Sequence, residues 1–355
     1  MSDFWQFLGR RLLAIPLTLV VITAVLFAMI LQSPVEDRAA LYLPPRLPSN
    51  MTAEKYQNTI DEIIDEYGLD DPFVVQYVRW LLLLVQGDWG YSPVYNDDVL
   101  AILLRHTPVT LELTFYSLLF FIPLGLIAGV VSGWRAYGRV DNYLRLTAFI
   151  GAAIPPFILG FFLLSIFYVG LHWFPPGRSD ILDIRLSSST FVNYTGFLTV
   201  DGLLNGRLDV TIDALRHLVL PVIALSLANW AFLSRITRAA MIEEKDQDYV
   251  TSARARGLKT RTIVWRHTFR NALTPALTST MLSVAAIITG VFVIEAIFNR
   301  RGLSYLVVNG MADAPDAPLA LGFAVYSVLL VVPLMLLLDI LRGIVDPRVR
   351  ENGNR

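Results

Sequence analysis

The side chains able to hold a metal, attack a carbonyl or carry a proton are few here and poorly grouped. The four histidines, His106, His172, His217 and His267, are so dispersed that no two share a helical turn. Their spacing gives no metal site, and they read as ordinary polar residues. The chain has no cysteine, which excludes disulfides, thiolate ligands and cysteine nucleophiles. It has no H-E-x-x-H, no G-x-S-x-G and no paired intramembrane aspartates, the constellations a membrane-embedded enzyme would use. A phosphate-binding loop ends in Gly-Lys-Ser/Thr so that the lysine reaches the phosphates. The lysines here, Lys55, Lys245 and Lys259, follow Glu54, Glu244 and Leu258, so the chain does not bind ATP that way. The expectation is a chain that is not itself an enzyme, with no cofactor or metal of its own.

The elements that would position any site are lipid-solvated. Hydrophobic residues make up 55% of the chain and charged residues 17%, against about 25% charged in a soluble domain. Crossing a bilayer core takes roughly 20 apolar residues. Six uncharged stretches meet or approach that length: 12–31, 113–133, 146–171, 218–234, 276–294 and 317–338. In lipid each must satisfy its own backbone groups, so each is expected as a helix. The expected fold is an all-α integral membrane protein, one permease-like domain over 1–355. It has six transmembrane helices and a large extracytoplasmic loop between the first two. Arg10 and Arg11 before 12–31 resemble a signal-peptide n-region, but the apolar run is too long and no cleavage site follows, so an uncleaved first helix is expected. Residues 73–86 are too short to span and Arg79 interrupts them. Their apolar end, 80–85, is expected on the membrane surface or packed on its own loop.

Polar and small residues occur inside the spans: Ser117, Asn229, Ser279, Ser283 and Tyr326. Tight helix packing accounts for most such residues. Asn229, Ser283 and Tyr326 are the candidates for a translocation pathway, Asn229 first, because a mid-span amide needs a partner in lipid. Glu112, Glu295 and Asp339 fall at span edges, where water is expected to reach them. Uncharged span interiors weigh against a proton- or sodium-coupled carrier, yet a stand-alone secondary transporter or channel stays open. Pro16, Pro123, Pro155, Pro156, Pro221 and Pro333 are expected to kink their helices.

With the N-terminus inside, the inner segments carry about three times the Lys/Arg density of the outer ones, so both termini are expected in the cytoplasm. A net charge of −1 provides no field for a polyanion, and nucleic acid is not an expected partner. The long outer loop, 32–110, contains Glu54, Asp61, Glu62, Asp65 and Glu66 on what reads as a solvated helix ending at YGLDDP. It is either a structured cap or a docking surface for an external partner. The second outer loop, 172–217, is rich in Ser, Thr, Asn and Gly and is expected to form turns or short strands.

The inner loop 235–275 is the most informative segment: RITRAAMIEEKDQDYVTSARARGLKTRTIVWRHTFRNALTP. Tyr249–Arg256 suits a short helix, and Gly257 suits its C-terminus, where a positive φ is easy without a β-carbon. Leu258 could seat an apolar contact. The small residues Ser252, Ala253 and Ala255 permit close approach, and Arg254 adds orienting charge. From composition alone this is either a juxtamembrane loop holding lipid headgroups or a docking helix for a partner protein.

The segment resembles the E-A-A-x3-G signature loop of ABC-importer permeases. Gly257 falls on the motif glycine, and Thr251, Ser252 and Ala253 fall on the E-A-A positions. DYVTSARARGL…RHTFRNALTP is similar to the dipeptide/oligopeptide (peptide/nickel) branch, DYVRTARAKGL…RHALRNALIP. Other stretches resemble the same family: FLGRRLLAIPLTLVV at the start, YGLDDPFVVQYVRWL…GDWGYS, HTPVTLELT, AIPPFILG, VIEAIFNRRGLSYLVVNGM and VDPRVR. Arg301 stands where the family has proline, and Ala317 where a tyrosine is usual. The resemblance implies a type I ABC-importer permease in a prokaryotic plasma membrane. Its expected partners are the lipid bilayer, a second homologous permease, two cytoplasmic ATPase subunits that bind ATP and Mg, and an external solute-binding protein delivering a peptide-like substrate. It also implies that Tyr249 to Leu258 form the coupling element, with Ala253 and Ala255 at the close contacts.

Overall fold

The computed structural model describes residues 9, 16–25, 27–29, 31–40, 42–43, 52–181, 191–312 and 316–345. The expected first span lies partly outside them. Both termini, the closing VDPRVR beyond Val345, and residues 182–190 of the second outer loop also fall outside. In chain order the helices are α1 (Pro16–Met29), α2 (Val35–Ala40), α3 (Ala53–Tyr67), α4 (Phe73–Gln86), α5 (Val99–Trp134), α6 (Arg139–Ala153) and α7 (Pro156–Leu163). There follow α8 (Leu198–Leu204), α9 (Leu208–Lys245), α10 (Asp248–Ala255), α11 (Phe269–Ile297), α12 (Leu303–Ala312) and α13 (Ala317–Val345). Among the described residues the only sheet is a two-residue antiparallel hairpin, β1 (Tyr91–Ser92) on β2 (Asp97–Asp98).

Among the described residues, three helical stretches are long and apolar enough to cross a membrane: α5, α9 and Thr260–Ile288, which includes the first part of α11. The expected span 146–171 is not straight. It is the second half of α6, then α7 and its π-helical continuation Leu164–Gly170, bent by 98°. The bend sits at Ile154–Pro155–Pro156, where proline keeps the preceding residue out of the α region; Ile154 is extended at φ −94°, ψ 118°. Taken as one broken span, α6 and α7 make a fourth candidate. Pro16–Met29 and Pro318–Pro333 are apolar helices of less than spanning length. Pro123, Pro221 and Pro333 lie inside α5, α9 and α13 without interrupting them.

Contacts group the chain into two compact units, 1–107 with 302–334 and 108–301 with 335–355. In the first, α3 is capped by Thr52, whose Oγ1 accepts from Lys55 N at 3.3 Å, and ends at Gly68 with φ +57°, as YGLDDP suggested. A β-carbon at Gly68 would displace the end of the Arg79 side chain, and the left-handed backbone there favours glycine. The apolar face of α3 closes a small core with Ala39, Leu43 and Leu69. The helix α4 packs on α1: Tyr77 OH donates to the Val20 carbonyl at 3.0 Å, and Trp80 stacks on Phe27 at 5.1 Å. Leu82, Leu83 and Val85 remain exposed.

The second unit holds the main core. Leu113 and Phe121 of α5, Leu159 and Leu163 of α7, Leu225 and Leu233 of α9, and Ile287, Val291 and Ile294 of α11 are buried together. Gly125, Gly129 and Gly133 of α5 face Leu233, Thr237 and Met241 of α9, two rows at i, i+4, i+8. A β-carbon at Gly129 would sit 2.4 Å from Thr237 Cβ and 2.8 Å from the Ser234 carbonyl oxygen. The backbones touch here because no side chain separates them, the small-xxx-small packing of membrane helices.

Candidate functional site

The loop after α9 forms the expected short helix, α10. Its end is a Schellman motif: Leu258 N donates to the Ala253 carbonyl at 3.2 Å, Gly257 N donates to the Arg254 carbonyl at 2.9 Å, and Gly257 has φ +72°. No atom lies within 4 Å of where a Gly257 β-carbon would be. Glycine is favoured by backbone conformation rather than by crowding.

One side of α10 is anchored to its own chain. Val250 and Ala253 are buried with Ile263, and Tyr249 and Trp134 pack against them. Tyr249 OH donates to Glu244 Oε2 at 2.6 Å. Burial first, and then this bond to a carboxylate, push the phenol up to about 12, so it stays protonated at neutral pH. Trp134, the last residue of α5, has Lys245 and Arg254 each 5.5 Å from its ring centroid, and its carbonyl accepts from Lys245 Nζ at 3.0 Å. These cation–π contacts fix α10 to the end of α5. The end of α9 is clamped separately, where Arg238 donates two bonds, 2.6 and 2.7 Å, to the carboxylate of Asp141, fully buried at the start of α6. Asp141 also accepts from Ser132 Oγ and Tyr137 N.

The other side is open. Thr251, Ser252, Arg254, Ala255, Gly257 and Leu258 are exposed. Ala253, expected at a close contact with a partner, is instead 7% exposed and faces inward. One turn of helix cannot present both Ala253 and Ala255 to the same side. The chain then enters α11 through a π-helical turn, Ile263–Thr268, in which Thr268 Oγ1 donates to the Ile263 carbonyl at 3.1 Å.

The three pathway candidates fall in both units. Asn229 and Ser283 belong to the second unit and Tyr326 to the first. Asn229 turns its amide back to the Leu225 carbonyl at 3.1 Å. Ser283 is buried and its hydroxyl has no hydrogen-bond partner, as is true of Ser279 one turn earlier. Tyr326 is 8% exposed, shares a 2.8 Å hydrogen bond with Thr107 Oγ1 and meets the edge of Trp89. That is a packing role.

The expectation that water reaches Glu112 and Glu295 is wrong: both are fully buried. Glu112 Oε1 accepts from Thr199 N and Oγ1 at 3.0 and 2.9 Å, and Oε2 accepts from Arg300 at 3.4 Å with Arg178 at 3.8 Å. Glu295 accepts from Thr110 Oγ1 at 2.6 Å. Arg300, 2% exposed, is pushed down to about 10 by burial, with Glu112 opposing the shift, and so keeps its charge at neutral pH. Burial lowers Arg178 as well. Its guanidinium also donates to the Gly196 carbonyl. The helices therefore do hold carboxylates, but paired ones. Partners far away in sequence left no local signal in the sequence.

Known proteins match along nearly the whole chain. The family model described as "Binding-protein-dependent transport system inner membrane component" covers residues 122–351, and the N-terminal membrane-component model of the same transport systems covers 4–114. The chain belongs to this family. It is 33% identical to the oligopeptide transport system permease protein AppB of Bacillus subtilis (strain 168), over 96% of this chain and 97% of that one. The di/tripeptide transport system permease protein DppB of Pseudomonas aeruginosa (strain UCBPP-PA14) is 33% identical over 98% and 99%. The probable D,D-dipeptide transport system permease protein DdpB of Escherichia coli (strain K12) is 34% identical over 83% and 85%. This chain is accordingly a membrane permease component of an ABC importer, and its apolar helices cross the inner membrane. Family membership, and not the charge pattern of its spans, sets aside the stand-alone carrier.

Proposed function

We propose that this permease imports peptides or similar solutes, forming half of a translocation pathway with a second, homologous permease. It spans the membrane six times with both termini in the cytoplasm. Two cytoplasmic ATPase subunits bind ATP and Mg, and an external binding protein delivers the cargo, with 32–110 on the outer side. The helix α10 is the coupling element. The observation that carries this reading is the two-sidedness of α10: Tyr249, Val250 and Ala253 are fastened to the ends of α5, α9 and the π-helical turn, while Thr251, Ser252, Arg254, Ala255 and Leu258 are presented outward. A helix held this way transmits a push from an ATPase into α9 and α11 as a lever, a rigid-element device for rocking a bundle. Of the basic groups here, Lys245 and Arg254 also contact the Trp134 ring, while Arg256, Lys259 and Arg261 are exposed. Asn229 and Ser283 are the pathway-lining candidates in the main core.

The test is co-purification in mild detergent with mass spectrometry, followed by ATPase and uptake assays on Gly257→Val. A β-branched residue at φ +72° is strained by about 1–3 kcal/mol, enough to distort the cap without unfolding the bundle. A second permease and ATPase subunits are expected to co-purify, and in the variant ATP hydrolysis should no longer drive uptake. Normal uptake by Gly257→Val would refute the coupling role.

A further inference from the structure

At the Leu208 end of α9, opposite the coupling helix, is a side-chain group that peptide import does not use. His217 is 1% exposed, and its Nδ1 lies 2.8 Å from the Asp213 backbone carbonyl oxygen. A carbonyl only accepts, so Nδ1 carries the proton and donates. The other ring nitrogen, Nε2, is buried without a hydrogen-bond partner. It faces Asp180 Oδ1 at 3.5 Å. Asp213 Oδ1 lies 3.6 Å from Nδ1, and the 3.5 Å from Nε2 to Asp180 Oδ1 is longer than the roughly 2.7–2.9 Å of a charge-assisted N–H···O bond that a proton on Nε2 would make, leaving room for a larger cation between the two atoms. Asp213 supplies a second carboxylate. Its Oδ2 accepts from Ser179 Oγ at 2.5 Å and from Asp180 N at 3.0 Å, which holds the Asp180 loop over the imidazole. One ligand atom from each of Asp180, Asp213 and His217 lies within 4.8 Å of the others.

We infer that Asp180, Asp213 and His217 form a binding site for a divalent first-row transition ion, with Zn2+ the best fit. Imidazole nitrogen and carboxylate oxygen bind Zn2+ at about 2.0–2.2 Å, and two such bonds at a tetrahedral angle hold their donor atoms about 3.4 Å apart. The Nε2–Oδ1 separation of 3.5 Å matches that edge. An imidazole in the donor set disfavours Ca2+ and Mg2+, which take oxygen. The outer shell is in place: the backbone carbonyl sets the imidazole tautomer, and two donors orient the Asp213 carboxylate. Three protein donors leave the fourth position to water or to an incoming ligand, and the Asp180 side chain is 65% exposed. The ion ties the loop at Ser179–Asp180 to α9. Histidine spacing alone gave no sign of this; the readable signal was Asp213 and His217 at i, i+4 on one helix.

The test uses the full chain in lipid nanodiscs, with a purification tag that contains no histidine, titrated with Zn2+ alone by calorimetry and with Co2+ by visible absorption. One ion per chain is expected, with the ligand-field bands of a low-coordinate N/O site for Co2+. His217→Gln should abolish binding. Asp180→Asn changes an exposed side chain, keeps the fold and should weaken Zn2+ binding by about 100-fold, since outer-shell changes alone cost 10- to 100-fold. Absence of saturable Zn2+ binding overturns the site. Undiminished affinity in Asp180→Asn overturns it too, whatever His217→Gln does.

Discussion

Glu112 shows how much one residue can hide. Its carboxylate is fully buried between Thr199, Arg300 and Arg178. Removing one partner of a buried pair typically costs about 3–5 kcal/mol because the other charge is left uncompensated. Glu112→Ala is therefore expected to lower the thermal midpoint in detergent markedly, and Glu112→Gln, which keeps an acceptor for Thr199, to lower it less. An equal drop in both variants would show that the acceptor for Thr199 adds nothing and that the lost charge accounts for the whole effect, whereas an unchanged midpoint in both would contradict the account. Tyr249 yields a pH statement. Its folded pKa, about 12, is above the ordinary 10.0, so its contribution is complete below pH 10 and is lost as pH rises from 10 through 12. Burial also raises Tyr42 and Tyr95, so ultraviolet titration should find Tyr249 within a late-ionising group of phenols, and Tyr249→Phe should remove one phenol from that group. At this scale the sequence was informative for local geometry only. Gly257 was legible as a helix end because positive φ is a property of one residue. Glu112 was misjudged as a water-reached edge because Arg300 and Thr199 are distant in sequence, and Ala253 because its inward face depends on Ile263 and Trp134.

Among the elements, α5 and α9 are joined more closely than their apolar composition required. Gly125, Gly129 and Gly133 recur every four residues, a pattern visible in GLIAGVVSG and meaningful only once α9 is set against it. At Gly129 even one methyl group meets Thr237 and the Ser234 carbonyl. Gly129→Ala is expected to cost about 1–3 kcal/mol, the usual range for overpacking. Gly129→Leu should prevent accumulation of folded protein, as read by monodispersity in detergent. The Asp141–Arg238 fork makes a parallel case. Lysine keeps the charge but not the two-pronged geometry, and hydrogen bonds to charged groups are worth about 1.5–3 kcal/mol. Arg238→Lys should thus destabilise detectably; an unchanged midpoint would mean that charge alone holds α9 to α6. Apolar run length located α5, α9 and the start of α11 well. It missed the 98° break at Ile154 because Pro155–Pro156 signals a break without giving its angle. It also missed the extension of α5 back to Val99, since Arg105, His106 and Glu112 separate the apolar residues 99–104 from the uncharged run that begins at Leu113.

For the whole molecule, the family assignment and the fastening of α10 converge on one account, in which a membrane bundle without an ATP motif receives its work from another subunit. The family was legible in advance because the loop DYVTSARARGL and its flanks keep local spacing. Which side chains of α10 face outward was not, because that depends on Trp134, Glu244 and Ile263 meeting around it. The natural absence of cysteine allows a direct test. Ser252→Cys places a single thiol on the exposed face of α10, where a short thiol-to-amine cross-linker is applied in native membranes. The expected result is one adduct containing this permease and an ATP-hydrolysing subunit, weakened when nucleotide changes the closure of the ATPases. A thiol that is freely labelled yet cross-links to no ATPase subunit would contradict the account.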